Sequence, residues 1–356
     1  MQNMITTLWY AVSRTWAQQL LFLLLVPFSH IYSAIMRLRA LGYRIGVLRQ
    51  NRLPVPVLSV GNLVAGGTGK TPVTALIARY LIGTGRTVAI LSRGYGGSCG
   101  GGAPQLVSNG RELLLTAEQA GDEPYLLAKT IPGLIVAIGA SRYAAGCLVL
   151  ECAQPDICIL DDGFQHLALK RDFDMVLLDA RHPLGNGHCL PAGPLREPKS
   201  ALQRASLIGL TRWSQYLSYD GGEDIPTVHI ESKLHEFRML ETQELLDRDT
   251  LQNSRFFGVA GIGDPEQFFQ GLRDTKMQLV GEQGLPDHCY YTEAMLASLH
   301  QRAILVGAEY IITTEKDAVK MLEVAGALRH TIVVASLGLH MHDSQILFEQ
   351  LEAVFG

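Results

Sequence analysis

The chain contains no aspartate or glutamate before Glu112, while Arg14, Arg37, Arg39, Arg44, Arg49 and Arg52 are already in place, so its first part is purely cationic. The whole chain does not share that bias: 30 basic against 34 acidic residues leave a net charge of −4. Such a balance excludes wholesale nucleic-acid binding, which needs a basic surplus or a basic face. Cysteine pairs are missing too. The six cysteines show no CxxC and no finger spacing, which excludes a zinc finger and fits free thiols in a reducing compartment. Also absent near the start is a long apolar run. Leu20 to Val26 stops at Pro27, well below the roughly 20 residues a bilayer-spanning helix needs. No positive charge precedes Arg14, so the opening lacks the basic start of a secretory signal.

What is present there is Trp9, Tyr10 and Trp16 ahead of the apolar run and an arginine flank free of acids behind it. These are the ingredients of an interfacial anchor for an anionic lipid surface, expected within residues 1–40. The competing expectation is an apolar helix buried against the protein's own core.

At 356 residues the chain is long enough for two compact units. "VPVLSVGNLV" reads as a buried strand, a glycine-rich turn follows, and "TPVTALIARYLIGTG" reads as a helix with Pro72 in its first turn and Gly83 or Gly85 ending it. "TVAILSRG", "LIVAIG", "DICILDDG" and "DMVLLDA" are further strand-like runs, separated in part by the helical patterns "DEPYLLAKT" and "SRYAAGCLVLEC". This alternation predicts a largely parallel sheet covered by helices, with ligands beyond the carboxyl ends of its strands. The pattern weakens from about Trp213 to Leu240, where a domain connection is expected, and resumes at "RFFGVAGIG". "GYGGSCGGGAP" reads as a mobile loop. The expected fold class is α/β. It comprises an apolar membrane-associating helix within 1–40, a P-loop NTPase-like domain with a mostly parallel sheet over 41–220, and a smaller α/β domain over 221–356.

In "VLSVGNLVAGGTGKTPV", Val64 stands where the strict phosphate-loop pattern has glycine. Gly66, Gly67, Thr68 and Gly69 nevertheless allow backbone amides to converge on phosphate, with Lys70 for its charge and the Thr71 hydroxyl for Mg²⁺. Asp161 and Asp162 end an apolar strand, where a phosphate-loop enzyme keeps its magnesium-organising carboxylate; without the loop upstream they would read as a turn or helix cap. Gln165 and His166 follow closely enough to line the same cleft. Asp122 and Glu123 open a helical stretch and read either as caps or as a source of a general base. Asp287 and His288 precede another helix, and His288 gains a role if the second unit brings it to Asp122. Arg196 and Glu197 close a glycine- and proline-rich loop and read as phosphate and magnesium contacts, or as a surface ion pair.

Taken in order, "VGNLVAGGTGKTP", "LSRGYGG", "GDEP", "DDGFQH", "PLGNGHCLPAGPLREP", "PDHCYYT" and "TTEKDAVK" resemble the tetraacyldisaccharide 4′-kinase family, the lipid A 4′-kinases of Gram-negative bacteria, over essentially the whole chain. The resemblance implies transfer of the γ-phosphoryl group of ATP, with Mg²⁺, to the 4′-hydroxyl of a tetraacylated glucosamine disaccharide 1-phosphate. It also implies peripheral, monotopic attachment at the cytoplasmic face of the inner membrane, with no obligate protein partner. Carried over by position, Lys70 and Thr71 fall on phosphate and magnesium positions, Asp161 and Asp162 on the second acidic motif, Asp122 on the base, His288 on its partner and Glu197 on a magnesium contact. Many relatives have a second histidine where Cys289 stands, so that position receives no catalytic role. Two rival readings are a nucleotide switch or metal-delivery ATPase, since "GGTGKT" occurs in such proteins, and a soluble small-molecule kinase, which leaves the N-terminal segment unexplained.

Overall fold

The computed structural model describes residues 7–10, 13–214, 217, 225–287 and 289–355. The apolar runs become β1 (Val57–Asn62), β2 (Val88–Ser92), β3 (Gln105–Asn109), β4 (Ile135–Ile138), β5 (Ile157–Asp161), β6 (Phe173–Asp179), β7 (Leu207–Thr211), β8 (Thr227–Met239), β9 (Arg255–Ala260), β10 (Gln278–Gly284), β11 (Tyr310–Thr314) and β12 (Ile332–His342). The helices are α1 (Trp16–Arg44), α2 (Lys70–Gly83), α3 (Ala117–Ala120), α4 (Asp122–Thr130), α5 (Arg142–Ala153), α6 (Arg248–Asn253), α7 (Pro265–Asp274), α8 (Glu293–Leu305), α9 (Glu315–Val324) and α10 (Ser344–Phe355).

The strands form a single sheet in the order β10-β9-β11-β12-β8-β7-β6-β1-β5-β2-β4-β3. The β3/β4 and β8/β12 pairs are antiparallel and the other neighbours parallel. Interior strands are buried on both faces, which is why they read as continuous apolar runs rather than alternating ones. On one face Leu58, Val60 and Ile159 pack with Val73, Ile77 and Leu81 of α2. On the other, Val57, Cys158 and Leu160 pack with Val149 of α5 and with Leu53.

The stretch expected as a connection contains instead the thirteen-residue strand β8. β8 pairs with β7 in parallel and with β12 antiparallel, so the sheet runs unbroken from one half of the chain to the other. Its signal was the burial of Val228, Ile230 and Phe237 among charged neighbours on a half-exposed ribbon. The last helix then returns to the first half. Leu347 and Leu351 of α10 join the α2 core, and Phe348 stacks on Tyr80 with ring centroids 3.8 Å apart.

Pro27 does not end the first helix. α1 runs for 29 residues with Pro27 inside it, from a capping box in which Thr15 and Gln18 satisfy each other's backbone amides. A proline there forfeits one backbone bond, which contacts along the helix must offset. By length and composition α1 is apolar enough to cross a membrane, and it is not the buried core helix weighed as an alternative. Trp16, Leu20, Leu24, Phe28, Ile31, Ile35 and Leu38 form an exposed stripe along it. Its opposite face is tied to the body: the Ser29 hydroxyl donates to Cys189 O at 2.6 Å, Tyr32 to Arg196 O at 3.0 Å, and Arg39 to Gln165 O at 3.1 Å.

The loop expected to be mobile packs closely. A Cβ on Gly97 would lie 2.5 Å from both Gly121 N and Gln119 O, so only glycine lets this loop press on the turn that starts α4.

Candidate active site

β1 lies between β5 and β6 with Val60 level with Asp161, so the glycine-rich loop after β1 and the Asp161-Asp162 turn after β5 emerge side by side. Gly69 caps α2 at φ 75°, and Gly66 has φ 122°, both conformations that favour glycine. A Cβ at Gly66 or Gly67 would meet no heavy atom within 4 Å, so the space directly over the loop is open. The Asn62 amide donates to Gly66 O at 3.2 Å and to Thr68 Oγ1 at 3.0 Å, while Arg212 reaches Gly67 O at 2.9 Å.

One turn beyond Lys70, the Thr74 hydroxyl donates to Asp161 Oδ1 at 3.1 Å. Asp161 is fully enclosed; burial first, then the charges of Glu123 and Asp162, push its carboxyl up to about 7, against the opposing pull of Lys70 and Thr74. Asp162, at φ 54°, lies 3.8 Å from the Lys70 ammonium and takes the Arg196 guanidinium at 2.9 Å on both oxygens. Gln165 steadies the end of β1 by donating to Asn62 O at 2.9 Å. His166 is held neutral: burial, then Arg142, Arg171, Arg39 and Arg93, lower its imidazole to about 4.

Asp122 and Glu123 stand in the first turn of α4, whose cap is Gly121, so neither is the helix cap. They face the second half of the chain instead. Lys320 Nζ lies 3.3 Å from Asp122 Oδ2, and Lys316 Nζ lies 3.6 Å from Glu123 Oε1 and 3.1 Å from Asp287 Oδ1. Burial works against the Lys316 ammonium, yet Glu123, Asp287 and Asp122 outweigh it and its basicity is raised. The "GDEP", "PDH" and "TTEKDAVK" segments thus meet at one seam. His288 lies outside the described residues.

Glu197, expected as a magnesium contact, has only 2 % of its side chain exposed and gives Arg204 both oxygens, at 3.0 and 2.9 Å. Among the described residues, no three carboxylate, imidazole or thiol groups converge as a metal-holding set. Magnesium does not need one: it keeps several waters and binds through one or two carboxylates plus substrate phosphates. Asp161, whose ionisation the surroundings oppose, is the group such a cation would relieve.

Sequence reasoning missed Asn62, Thr74, Arg212 and Lys320. The available signals were a polar residue ending an apolar strand for Asn62 and an arginine just beyond a buried strand for Arg212. For Thr74, a hydroxyl one turn after Lys70 carries no distinctive pattern.

The chain is similar to known proteins over nearly its whole length. It is 44% identical over 356 residues to the tetraacyldisaccharide 4′-kinase of Pelobacter propionicus, covering 99% of this chain and 98% of that one. The corresponding protein of Geobacter metallireducens is 43% identical over 336 residues, covering 94% and 99%. Among solved structures, LpxK from Aquifex aeolicus in complex with ATP superposes with a TM-score of 0.78 at 31% identity, covering 93% of this chain and 98% of that one. Residues 21–356 match the family described as tetraacyldisaccharide-1-P 4′-kinase, and the chain belongs to that family of kinases.

Proposed function

We propose that the protein transfers the γ-phosphoryl group of ATP to the 4′-hydroxyl of a tetraacylated glucosamine disaccharide 1-phosphate, a step of lipid A assembly. The observation that carries this reading is the shared cleft beyond β1 and β5, where Lys70, Asp161 and Asp162 stand together and Asp161 feels the charge of Glu123, with α1 tied alongside by one face and its apolar stripe exposed on the other. The names of the relatives supply the acceptor.

In this reading the amides of Gly66, Gly67, Thr68 and Gly69 cradle the triphosphate, and Lys70 neutralises its β and γ oxygens. Thr71, Asp161 and Asp162 would hold Mg²⁺, which when bound supplies neutralisation of charge on the transferring group. Glu197 would join them only by leaving Arg204. Asp122, oriented by His288, takes the proton of the sugar hydroxyl as that oxygen attacks phosphorus in line and the ADP oxygen leaves. In this reading 41–220 holds the nucleotide and 221–356 closes over it to exclude water.

The lipid's acyl chains stay in the bilayer, since each buried CH₂ contributes about 0.8 kcal/mol, so the enzyme must come to the membrane. Residues 1–40 would bind the anionic cytoplasmic face of the inner membrane as a peripheral, monotopic attachment. Trp9 is bonded to Pro191 O and Arg39 to Gln165 O. Ties before the helix and near its end suit a segment lying along the surface rather than crossing it. This reading needs neither nucleic acid nor an obligate protein partner.

The test is incubation with γ-labelled ATP and the acylated disaccharide in detergent micelles. Label should pass into the lipid, and Asp122→Ala should cut turnover by about a hundredfold or more while leaving ATP binding nearly intact. Label appearing only as inorganic phosphate, or an Asp122→Ala enzyme near wild-type turnover, overturns the reading.

A further inference from the structure

We infer that Lys320, the last residue of "TTEKDAVK", is a positioning residue for phosphoryl transfer, acting through Asp122; the inference rests on the reading of Asp122 as proton acceptor. Lys320 projects from α9 across the seam, with its Nζ 3.3 Å from Asp122 Oδ2 and 3.5 Å from Asp317 Oδ1. Its side chain is only 10% exposed, and the ammonium nitrogen is enclosed and 5.5 Å from the centre of the Tyr291 ring.

Burying an ammonium is costly unless a carboxylate accompanies it. Asp317, three residues earlier on the same helix, already provides one. Asp317 is fully buried and its Oδ2 accepts from Gly261 N at 2.9 Å and Thr314 Oγ1 at 2.8 Å, so it is fixed whether or not Lys320 reaches farther. Charge neutralisation within the second half is therefore complete without Asp122. The contact across the seam acts on Asp122 through charge: Nζ stands 3.3 Å from Oδ2 without forming a hydrogen bond, draws that oxygen toward α9 and favours the ionised form that can accept a proton.

The charged and titratable groups around Asp122 divide by sign. Glu123 on its own helix, Asp287 from the loop before α8 and Asp317 on the far side of the seam oppose a second negative charge, while burial and Asp317 keep the nearby Tyr291 phenol protonated and neutral. Asp161 stands on the cleft side, close enough to feel Glu123. Lys316 offsets Glu123 and Asp287 directly, and Lys320 is the cation paired with Asp122 itself. Two lysines four residues apart on α9 thus hold two adjacent carboxylates on α4, each lysine with its own partner.

A simple staple between the two halves would predict lost stability and nothing specific about the reaction. The positioning role predicts that Lys320→Met lowers kcat about tenfold or more, leaves KM for ATP within about twofold, and raises the acidic limb of the kcat against pH profile by about one unit, because an opposite charge within 4 Å is gone. Lys320→Arg, which keeps the charge, should restore the limb and most of kcat. In the decisive comparison, Asp122→Asn with Lys320→Met should be no slower than Asp122→Asn alone, since the lysine then has nothing to act through.

Losses that multiply, or a Lys320→Met enzyme with an unmoved pH profile, overturn the inference. If Lys320→Met does not melt cooperatively, the double variant, in which a neutral amide replaces the Asp122 carboxylate, decides between the two roles by the same criterion. A fully active Asp122→Asn enzyme would instead overturn the base assignment, so the two failures are distinguishable.

Discussion

Tyr32→Phe removes a single oxygen from the docked face of α1 and isolates the coupling between that helix and the nucleotide cleft. The hydroxyl donates to the carbonyl of Arg196 at 3.0 Å, and the guanidinium of the same residue grips Asp162 at 2.9 Å. A neutral hydrogen bond contributes a net ~1 kcal/mol, and a carbonyl left without its partner in a partly buried site costs about 1–3 kcal/mol. Ser29→Ala is the internal control. The Cys189 carbonyl it abandons still accepts from Gly193 N at 3.0 Å, so its cost belongs at the low end, about 0.5–1 kcal/mol. Amide hydrogen exchange reads the difference directly, because the amides of Gly193, Leu195 and Arg196 are bonded to Cys189 O, His188 O and Leu63 O. Tyr32→Phe should accelerate their exchange roughly 5- to 100-fold and Ser29→Ala about 2- to 5-fold, at tenfold per ~1.4 kcal/mol. Turnover should fall in the same order while flotation with anionic liposomes stays unchanged, since the exposed stripe is untouched. Unaltered exchange in this loop, or equal effects of the two variants, would refute a mechanical link between α1 and the cleft.

Two further outcomes are expected. In Gly61→Ala the new methyl would sit 2.6 Å from Phe164 Cβ and 2.8 Å from its backbone nitrogen. The Asp161-Asp162 turn must therefore shift away from β1, and thermal stabilisation by ATP should be largely lost, at a cost of about 1–3 kcal/mol to the fold. His166, lowered to about 4, binds fewer protons folded than unfolded between pH 4 and about 6.5. Its contribution to stability is therefore present above that window and is lost as pH falls through it. Melting curves of wild type and His166→Gln should converge with acidification across the window and run parallel above it; a gap independent of pH would contradict the assignment.

The elements legible in the chain alone were those whose cause is local. "GGTGKT" needs glycine φ values and a following helix, both written within a dozen residues. The run "ICILDD" announces a strand covered on both faces that ends in charge. The single-signed opening segment is likewise a property of the amino-acid order, visible without any coordinates. β8 escaped because a ribbon buried on one side alternates, and its alternation was masked by turn residues before it. The length of α1 escaped because Pro27 is a stop only when nothing else holds the helix, and here Ser29 and Tyr32 do.

Tertiary structure alone decided which charges meet. Asp162 to Arg196 spans 34 positions, Thr74 to Asp161 spans 87, and Lys320 reaches Asp122 from the far half of the sheet. The amino-acid order determined the glycine-rich loop between strand and helix, the apolar, cationic start and the parallel core, because backbone conformation and solvent transfer are properties of neighbouring residues. Partnership between distant side chains depends on strand order and on the β8/β12 crossing, which bring remote segments within a few ångströms. Coulomb and hydrogen-bond energies fall away so steeply with distance that no local pattern encodes them.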